Sequence, residues 1–313
     1  MVGKISYSFV INAFQFKNSI VSEIEPSLLK NLDDGIWVHC QRDDPQLKIW
    51  LEDLDVPKAA IDALLANDSR PRFEIFDQDC SLIIVRGINL NNGFQPDDML
   101  SLRFLIYRGA IISTRKIPSL SVSSVCDRIK NHNDVPLSMI IILILNEINK
   151  NIFNYLDPVE EALDKISENT ISNLMTLQKK LLNIRRYLKP QKYVICEMLK
   201  QNDSLISEQR DSIKNILDDV IRINESIEFY IEQINATIIN MNQIENEKMN
   251  VNTYALSIVS ILFLPASFFT GLFGINILGI PGSENTSAFM VFCIFIVILI
   301  ALEILIMKTL KFI

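Results

Sequence analysis

A 3-4 rhythm of apolar side chains runs through the second half of the chain. Its members between 213 and 244 are Ile213, Ile216, Val220, Ile223, Ile227, Tyr230, Ile234, Met241 and Ile244. A rhythm of this kind, sustained over about four heptads, indicates a helix that packs along a long partner seam. Because neither proline nor glycine occurs between Lys192 and Leu264, we predict an unbroken helix from about Ser204 into the apolar segment that follows. Such a helix, ~100 Å long at 1.5 Å per residue, must belong to a bundle or an oligomer.

Two apolar segments close the sequence. Residues 249–283 contain no charged side chain, and neither do residues 285–302 beyond Glu284. Within them, 252–273 and 288–307 each approach the ~20 residues that a helix needs to cross ~30 Å of hydrocarbon, and turn formers separate them. We therefore predict two transmembrane helices in a hairpin.

Upstream of the long helix, the pattern indicates an α/β domain followed by helices. Runs rich in β-branched and aromatic residues predict strands at 4–13, 36–40, 73–76, 81–89, 100–107 and 110–114. Helices are predicted between them at 47–54 and 57–66. From Pro136 onward the pattern predicts helices at 137–156 and 158–188. We expect Pro190 to end the second of these, because proline has no amide hydrogen to donate.

These elements give an α+β fold class: a cytoplasmic domain with a mixed sheet and helices, a long stalk helix, and two C-terminal transmembrane helices. The predicted divisions are 1–135 for the cytoplasmic α/β domain, 136–250 for the helical hairpin and stalk, 251–275 for the first transmembrane helix, 276–287 for the outer loop, 288–308 for the second transmembrane helix and 309–313 for a short cytoplasmic tail.

Charge is distributed as unevenly as hydropathy. The chain has 30 Lys and Arg against 37 Asp and Glu, a net charge of −7. Beyond Lys248 the ionisable side chains are Glu284, Glu303, Lys308 and Lys311, which cancel, so the whole net charge lies upstream. An acidic chain repels phosphate, which argues against a nucleic-acid partner. A soluble enzyme with one core would not end in a long uncharged block.

The flanking cations predict the orientation. Lys248 precedes the first span, Lys308 and Lys311 follow the second, and the loop between them has none, so both termini are expected in the cytoplasm.

We expect no cleavable signal peptide, because the apolar block is C-terminal. The five cysteines form no CxxC pair, which fits a reducing compartment. No phosphate loop or nucleophile–base cluster is visible, so we predict no enzyme, no catalytic residue and no cofactor.

Small and polar residues continue the 3-4 rhythm into the first span. They are Asn246, Asn250, Thr253, Ser257, Ser260, Ser267, Gly271 and Gly274, and Leu264 takes the position in this rhythm between Ser260 and Ser267. One interpretation is close helix packing through small residues. The other is a water-lined pore formed by several copies of this helix, since one helix cannot enclose a pore. A helix that only tethered an enzyme or sensor would not need hydroxyl groups at successive turns.

Gly274-Ile275-Asn276 resembles the Gly-x-Asn motif that ends the first of two C-terminal spans in CorA-type divalent-cation transporters. Three cytoplasmic stretches resemble the ZntB branch, the zinc-transport members of that family. They are Trp37-Val38-His39, Val85-Arg86-Gly87-Ile88-Asn89-Leu90-Asn91 and Arg185-Arg186-Tyr187-Leu188-Lys189-Pro190-Gln191. The chain departs from the family at its end, where a run of Arg or Lys is usual and Lys308 and Lys311 stand instead.

The resemblance implies a homopentamer in the bacterial inner membrane, with a funnel-shaped cytoplasmic domain and one first-span helix per chain around the pore. Its partners would be lipid and a divalent cation, with Zn²⁺ favoured and a Mg²⁺ or Co²⁺ channel as the alternative. The direction of transport and its coupling to protons stay open at this point.

Five copies of Asn276 would form a ring at the outer mouth and bind the metal through its hydrating waters, because an amide oxygen accepts hydrogen bonds without trapping the ion. Alternatively, Asn276 is a helix C-cap. Asn250, Thr253, Ser257, Ser260, Ser267 and Gly271 would line the pore. Leu264 would be either a hydrophobic constriction or ordinary packing beside Pro265.

Two acidic residues lie within or between the spans. Glu284 in the outer loop would attract cations over about 8 Å, or is merely solvated. Glu303 inside the second span is a candidate for proton coupling, or else reaches the interface or pairs with Lys308. Of the two histidines, His39 is expected to be structural, and no cluster of His and Cys indicates a dedicated zinc site.

Overall fold

The computed structural model describes residues 7–17, 20–30, 32, 34–131, 134–164, 171–201, 204–274 and 286–309. The chain divides into two units, Met1–Ile238 and Ile239–Ile313, and the division falls inside the longest helix.

A seven-stranded mixed sheet lies at the centre of the first unit. Its strands are β1 (Val10–Lys17), β2 (Ile20–Glu23), β3 (Ile36–Gln41), β4 (Arg72–Asp77), β5 (Cys80–Gly87), β6 (Leu100–Tyr107) and β7 (Ala110–Arg115). Their spatial order is β2-β1-β3-β7-β6-β5-β4. In this described sheet β3 and β7 pair in parallel, and the other neighbours pair antiparallel. Arg108 and Gly109, with φ of 48° and 75°, form the two-residue turn between β6 and β7.

Helices cover both faces of the sheet, which explains why β5 is buried along almost its whole length. On one face, α1 (Pro45–Asp53) and α2 (Lys58–Leu65) place Trp50 and Leu64 in one apolar core with Cys40 and Ile84. Farther along the chain come α3 (Leu120–Asn131) and α4 (Met139–Asp164). Helix α4 approaches the sheet so closely that a Cβ added at Gly87 would lie 3.4 Å from the Ile148 side chain.

The remaining helices of the first unit are α5 (Ile171–Leu199), α6 (Ser204–Ser207) and the first part of α7 (Arg210–Phe273). The prediction that Pro190 ends a helix is wrong, because α5 continues through it to Leu199. The predicted break before Pro158 is also wrong, since α4 runs through it. Leu188 and Val194 are buried on either side of Pro190, and this packing offsets the missing backbone hydrogen bond.

The N-terminal strands also differ from the prediction. Strand β1 lies at Val10–Lys17 instead of 4–13, and residues 1–6 lie outside the described residues. Strand β2 was not predicted. Only Val21 of its four residues is buried, so the strand carries almost no apolar signal in the sequence.

The second unit contains the end of α7 and α8 (Ala288–Thr309). Both helices are long and apolar enough to cross a membrane, with 18-residue windows of mean hydropathy 2.0 and 3.2. Phe269 packs edge-on against Phe295 at 5.2 Å between ring centroids, and Phe273 packs likewise against Phe292 at 5.3 Å. These aromatic pairs place the end of α7 beside the first half of α8.

Candidate functional site

The polar stripe predicted for the first span lies on α7 within the second unit, and its side chains are exposed in the isolated chain. Its members are Asn250, Thr253, Ser257, Ser260, Leu264, Ser267, Gly271 and Gly274. Leu264 is the most exposed of the large apolar residues on α7, at 72%. Since no described segment of the same chain covers these residues, the stripe is open to another copy or to water.

Two serine hydroxyl groups of the stripe are oriented by the helix itself. Ser257 Oγ donates to the carbonyl of Thr253 at 2.8 Å, and Ser260 Oγ donates to that of Leu256 at 2.9 Å. Each hydroxyl has one hydrogen to donate, and here the backbone takes it. The oxygen lone pairs therefore remain available as acceptors. Water bound to a metal ion is a strong donor, so the stripe suits a hydrated cation better than an anion.

Pro265 lies inside α7, immediately after Leu264. Proline lacks the amide that would bond to the carbonyl of Ile261, so the helix is locally weakened at this point. At this turn of α7 the stripe carries the apolar Leu264 in place of a hydroxyl-bearing residue. The role of Leu264 as a hydrophobic constriction stays a prediction.

The predicted selectivity motif begins at Gly274, directly after α7. Gly274 donates its N–H to the carbonyl of Thr270 at 2.9 Å, and a Cβ added at Gly274 would lie 2.8 Å from that oxygen. This close approach favours glycine. Ile275, Asn276 and Glu284 lie outside the described residues, so their predicted roles stay predictions.

Glu303 lies on α8 and is partly exposed. Its Oε2 is buried and has no hydrogen-bond partner among the residues that the structure describes. Lys308 therefore does not satisfy this oxygen, and its own side chain is exposed. An unpartnered carboxylate oxygen in an apolar helix is costly, so Glu303 remains a candidate for proton coupling.

His39 lies in the interior of the cytoplasmic sheet. It is 1% exposed, and its Nδ1 is 2.8 Å from Ser113 Oγ, which also accepts a hydrogen bond from Trp37. Burial, together with the nearby positive charge of Arg115, lowers the pKa of His39 to about 3. His39 is therefore a neutral structural residue. Within the described ranges, no group of three His, Cys, Asp or Glu side chains could hold a metal.

An open groove of about 570 Å³ lies between α4 and α5, and the sequence did not predict it. Asn151, Tyr155 and Lys180 contribute polar groups to it, and Leu90 and Pro158 contribute apolar surface. The predicted break at Pro158 obscured this groove, because the two helices were placed with the wrong bounds.

The sequence matches the model of a known family, described as CorA-like Mg²⁺ transporter protein, over residues 33–309. The chain belongs to the CorA family. One CorA-family relative, the zinc transport protein ZntB of Vibrio parahaemolyticus, is 38% identical over 97% of this chain and 97% of its own length.

Two solved structures resemble the fold. The cytoplasmic domain of ZntB from Vibrio parahaemolyticus has a TM-score of 0.73 at 33% identity, covering 76% of this chain and 99% of that one. The full-length CmaX protein has a TM-score of 0.84 at 25% identity, covering 99% of this chain and 100% of that one. The predicted fold class is confirmed: a mixed sheet with helices, a long helix and two apolar C-terminal helices. The CorA family consists of transporters, so the prediction that the chain is not an enzyme is also confirmed.

Proposed function

We propose that this CorA-family protein transports divalent cations across the bacterial inner membrane, with Zn²⁺ as its main substrate. The observation that carries the proposal is the row of outward-facing hydroxyl oxygens on α7, a helix apolar enough to span a membrane. Identity of 38% to a zinc transport protein, over nearly the whole of both chains, supports the choice of metal. A Mg²⁺ or Co²⁺ channel is the second candidate, because the family description names Mg²⁺.

The working unit in this proposal is a homopentamer. One copy of α7 cannot enclose a pore, and the exposure of its polar stripe in the isolated chain supports packing around a shared axis. The stripe lines the water path, while the Ile, Leu, Val and Phe on the other faces of α7 and on α8 contact lipid or neighbouring helices. Both termini lie in the cytoplasm, in accordance with the positions of the flanking lysines.

In the pentamer, five copies of Asn276 form the ring that selects hydrated cations at the outer mouth. Glu284 raises the cation concentration in front of this ring by Coulomb attraction. Ser257 and Ser260 then accept hydrogen bonds from the metal's water shell as it passes through the pore. The metal is held through its waters, so no resident metal or cofactor is needed.

The test is flux in proteoliposomes that contain the purified full-length protein. Zn²⁺, Mg²⁺, Co²⁺ and Ni²⁺ are compared, each with and without a pH gradient. We expect Zn²⁺ to be transported fastest. Absence of Zn²⁺ flux together with Mg²⁺ flux driven by membrane potential would support the second candidate instead.

The pH-gradient arm is repeated with Glu303→Gln. If Glu303 couples protons to transport, this variant loses the acceleration by the gradient and keeps its basal flux. Full retention of the pH dependence would remove Glu303 from the mechanism.

A further inference from the structure

Three arginines converge at one end of the sheet, on the face that α2 covers. Arg86 lies on β5, Arg103 on β6, and Arg42 directly follows β3. The register pairs Arg86 with Ser101, and Arg103 with Thr114 on β7. Paired residues and residues two apart share a face of a sheet, so these side chains project to the same side.

Arg103 is the centre of this arginine cluster and is 0% exposed. Its Nη1 donates to the carbonyls of Ala63 and Leu64 at the end of α2, and its Nε donates to Ser101 Oγ at 3.2 Å. Its Nη2 is also buried, yet it has no hydrogen-bond partner among the described residues. A fully buried guanidinium with an unused donor is costly unless something accepts from it.

Four further atoms near Arg103 that can donate hydrogen bonds are also buried without a partner in the described ranges. Arg42 Nη1, Arg86 Nε, Ser69 Oγ and Thr114 Oγ1 are each buried without a partner within the described part of the chain. Ser69 belongs to this set by position, because its carbonyl accepts from Arg86 Nη2 at 2.7 Å. All five unpaired atoms can donate, so together they suit an acceptor with several oxygens.

The carboxylates that act on the cluster, Asp43 near Arg42 and Asp68 near Arg86, are both exposed to solvent. Asp68 lies 3.5 Å from Arg86, but its own side chain is 92% exposed, so solvent weakens the pair. Burial first, and then repulsion from Arg42 and Arg86, lowers the pKa of Arg103 to about 9. The cationic groups therefore repel one another, and an anion bound among them would relieve this repulsion.

We propose that Arg42, Arg86 and Arg103, with Ser69 and Thr114, bind a phosphate group. Guanidinium groups match phosphate geometry with paired hydrogen bonds, and a tetrahedral oxyanion can accept from donors that approach from several directions. The phosphate is either inorganic phosphate or the terminal group of a nucleotide.

The bound anion would join elements that are distant in sequence. The donors come from β5, β6 and β7, from Arg42 directly after β3, and from the segment between α2 and β4. Arg86 also stacks on the ring of Tyr187 in α5, with the guanidinium carbon 4.7 Å from the ring centroid. Binding therefore stabilises the sheet together with its contact to α5, and ligand that binds only the folded state raises the unfolding temperature.

The test measures thermal unfolding and isothermal titration on the full-length protein in detergent with EDTA. The probes are potassium phosphate, ATP and potassium chloride at matched ionic strength. We expect phosphate or ATP to give a saturable rise in unfolding temperature that chloride does not give. A stronger response to inorganic phosphate identifies the free ion, and a stronger response to ATP identifies a nucleotide. No saturable response to either, or an equal response to chloride, overturns the proposal.

Variants connect the response to the arginine cluster. Arg42→Gln, which is partly exposed and less central to the fold than Arg103, should weaken binding by about tenfold or more. Asp68→Asn removes the nearby carboxylate and should tighten binding by roughly two- to threefold. Arg115→Gln is the matched control, because its pairing with Gln41 puts it on the opposite face of the sheet. Unchanged affinity in both Arg42→Gln and Asp68→Asn, or equal loss in Arg115→Gln, contradicts the assignment.

Discussion

Some side chains have their role within a single chain, and others have a role only where several copies of the chain meet. His39 is held entirely within the cytoplasmic unit by Ser113 and by burial. Asn276, in contrast, gains its proposed role only when several copies meet. Substitutions at these two positions should accordingly affect different measurements, stability for the first and flux for the second.

Asn276→Ala should abolish cation flux and leave the oligomer intact, because alanine cannot accept hydrogen bonds from the water shell of the metal. Flux into proteoliposomes and sedimentation in detergent measure the two properties. Asn252→Ala is the matched control, since Asn252 lies on α7 but outside the stripe. Unchanged flux in Asn276→Ala would leave this asparagine only as a helix cap.

His39 predicts a pH dependence of stability. Its folded pKa of about 3 is below its ordinary value of 6.5, so the unfolded state takes up a proton first as pH falls. The contribution is complete above pH 6.5 and is lost progressively between there and pH 3, at up to about 1.4 kcal/mol per pH unit. His39→Gln should unfold with a shallower dependence between pH 7.5 and pH 5. Identical slopes for variant and wild type would show that His39 does not contribute.

At the scale of elements, a side-chain hydrogen bond links α5 to strand β5 of the sheet. Gln191 is completely buried, and its Oε1 accepts from the backbone N–H of Arg86 at 2.8 Å. This contact lies one residue beyond Pro190, within a helix that the proline alone would be expected to interrupt. Tertiary contacts of this kind explain why α5 remains helical there.

Gln191→Met should destabilise the protein by about 1–3 kcal/mol, because the Arg86 amide is left buried without its acceptor. Chemical unfolding in detergent provides the measurement. Lys179→Met on the exposed side of the same helix should change stability by less than about 0.5 kcal/mol. Equal effects at the two positions would mean that the hydrogen bond to β5 contributes little.

The proposed pore-lining face of α7 allows a similar test. In the double variant Ser257→Ala with Ser260→Ala, flux should fall about two- to tenfold, since two acceptors of modest net strength are lost from each copy. Cys293→Ala is a comparably small change on α8 and should leave flux unaltered. A double variant as active as wild type would favour the helix-packing interpretation of the stripe.

At the scale of the whole molecule, the proposed pentamer predicts that flux depends steeply on the fraction of variant subunits. When wild type and Asn276→Ala are co-expressed in equal amounts, about 3% of randomly assembled pentamers are purely wild type. Flux should then fall far below half of its wild-type value. Half-maximal flux would indicate that each subunit transports independently.

Most of this architecture could be predicted from sequence because its signals are local and repeated. The rhythm from Ile213 to Ile234 predicted the buried face of α7, and uncharged length predicted the two spans. The breaks predicted at Pro158 and Pro190 were wrong, because packing between elements far apart in sequence offsets the backbone hydrogen bond that each proline removes. Strand β2 was not predicted because only Val21 of its four residues is buried, so the hydropathy pattern does not indicate its pairing with β1.

The candidate site was predictable in part for the same reason. A helical period is enough to align Asn250 with Ser267, but it does not reveal hydroxyl donors bonded back to the helix. The arginine cluster had no sequence signal, because Arg42, Arg86 and Arg103 meet only through the pairing of strands β3, β7, β6 and β5.

The position of the division between the two units has a practical consequence for anyone who wishes to isolate them. Ile238 and Ile239 are consecutive residues inside α7, so a protease meets helix there instead of an exposed loop. A recombinant fragment that stops at this point ends in the middle of a helix, with its last four carbonyls deprived of their partners. Such fragments should fray at the new end, and a fragment extended by several turns past Ile239 should be the better starting material.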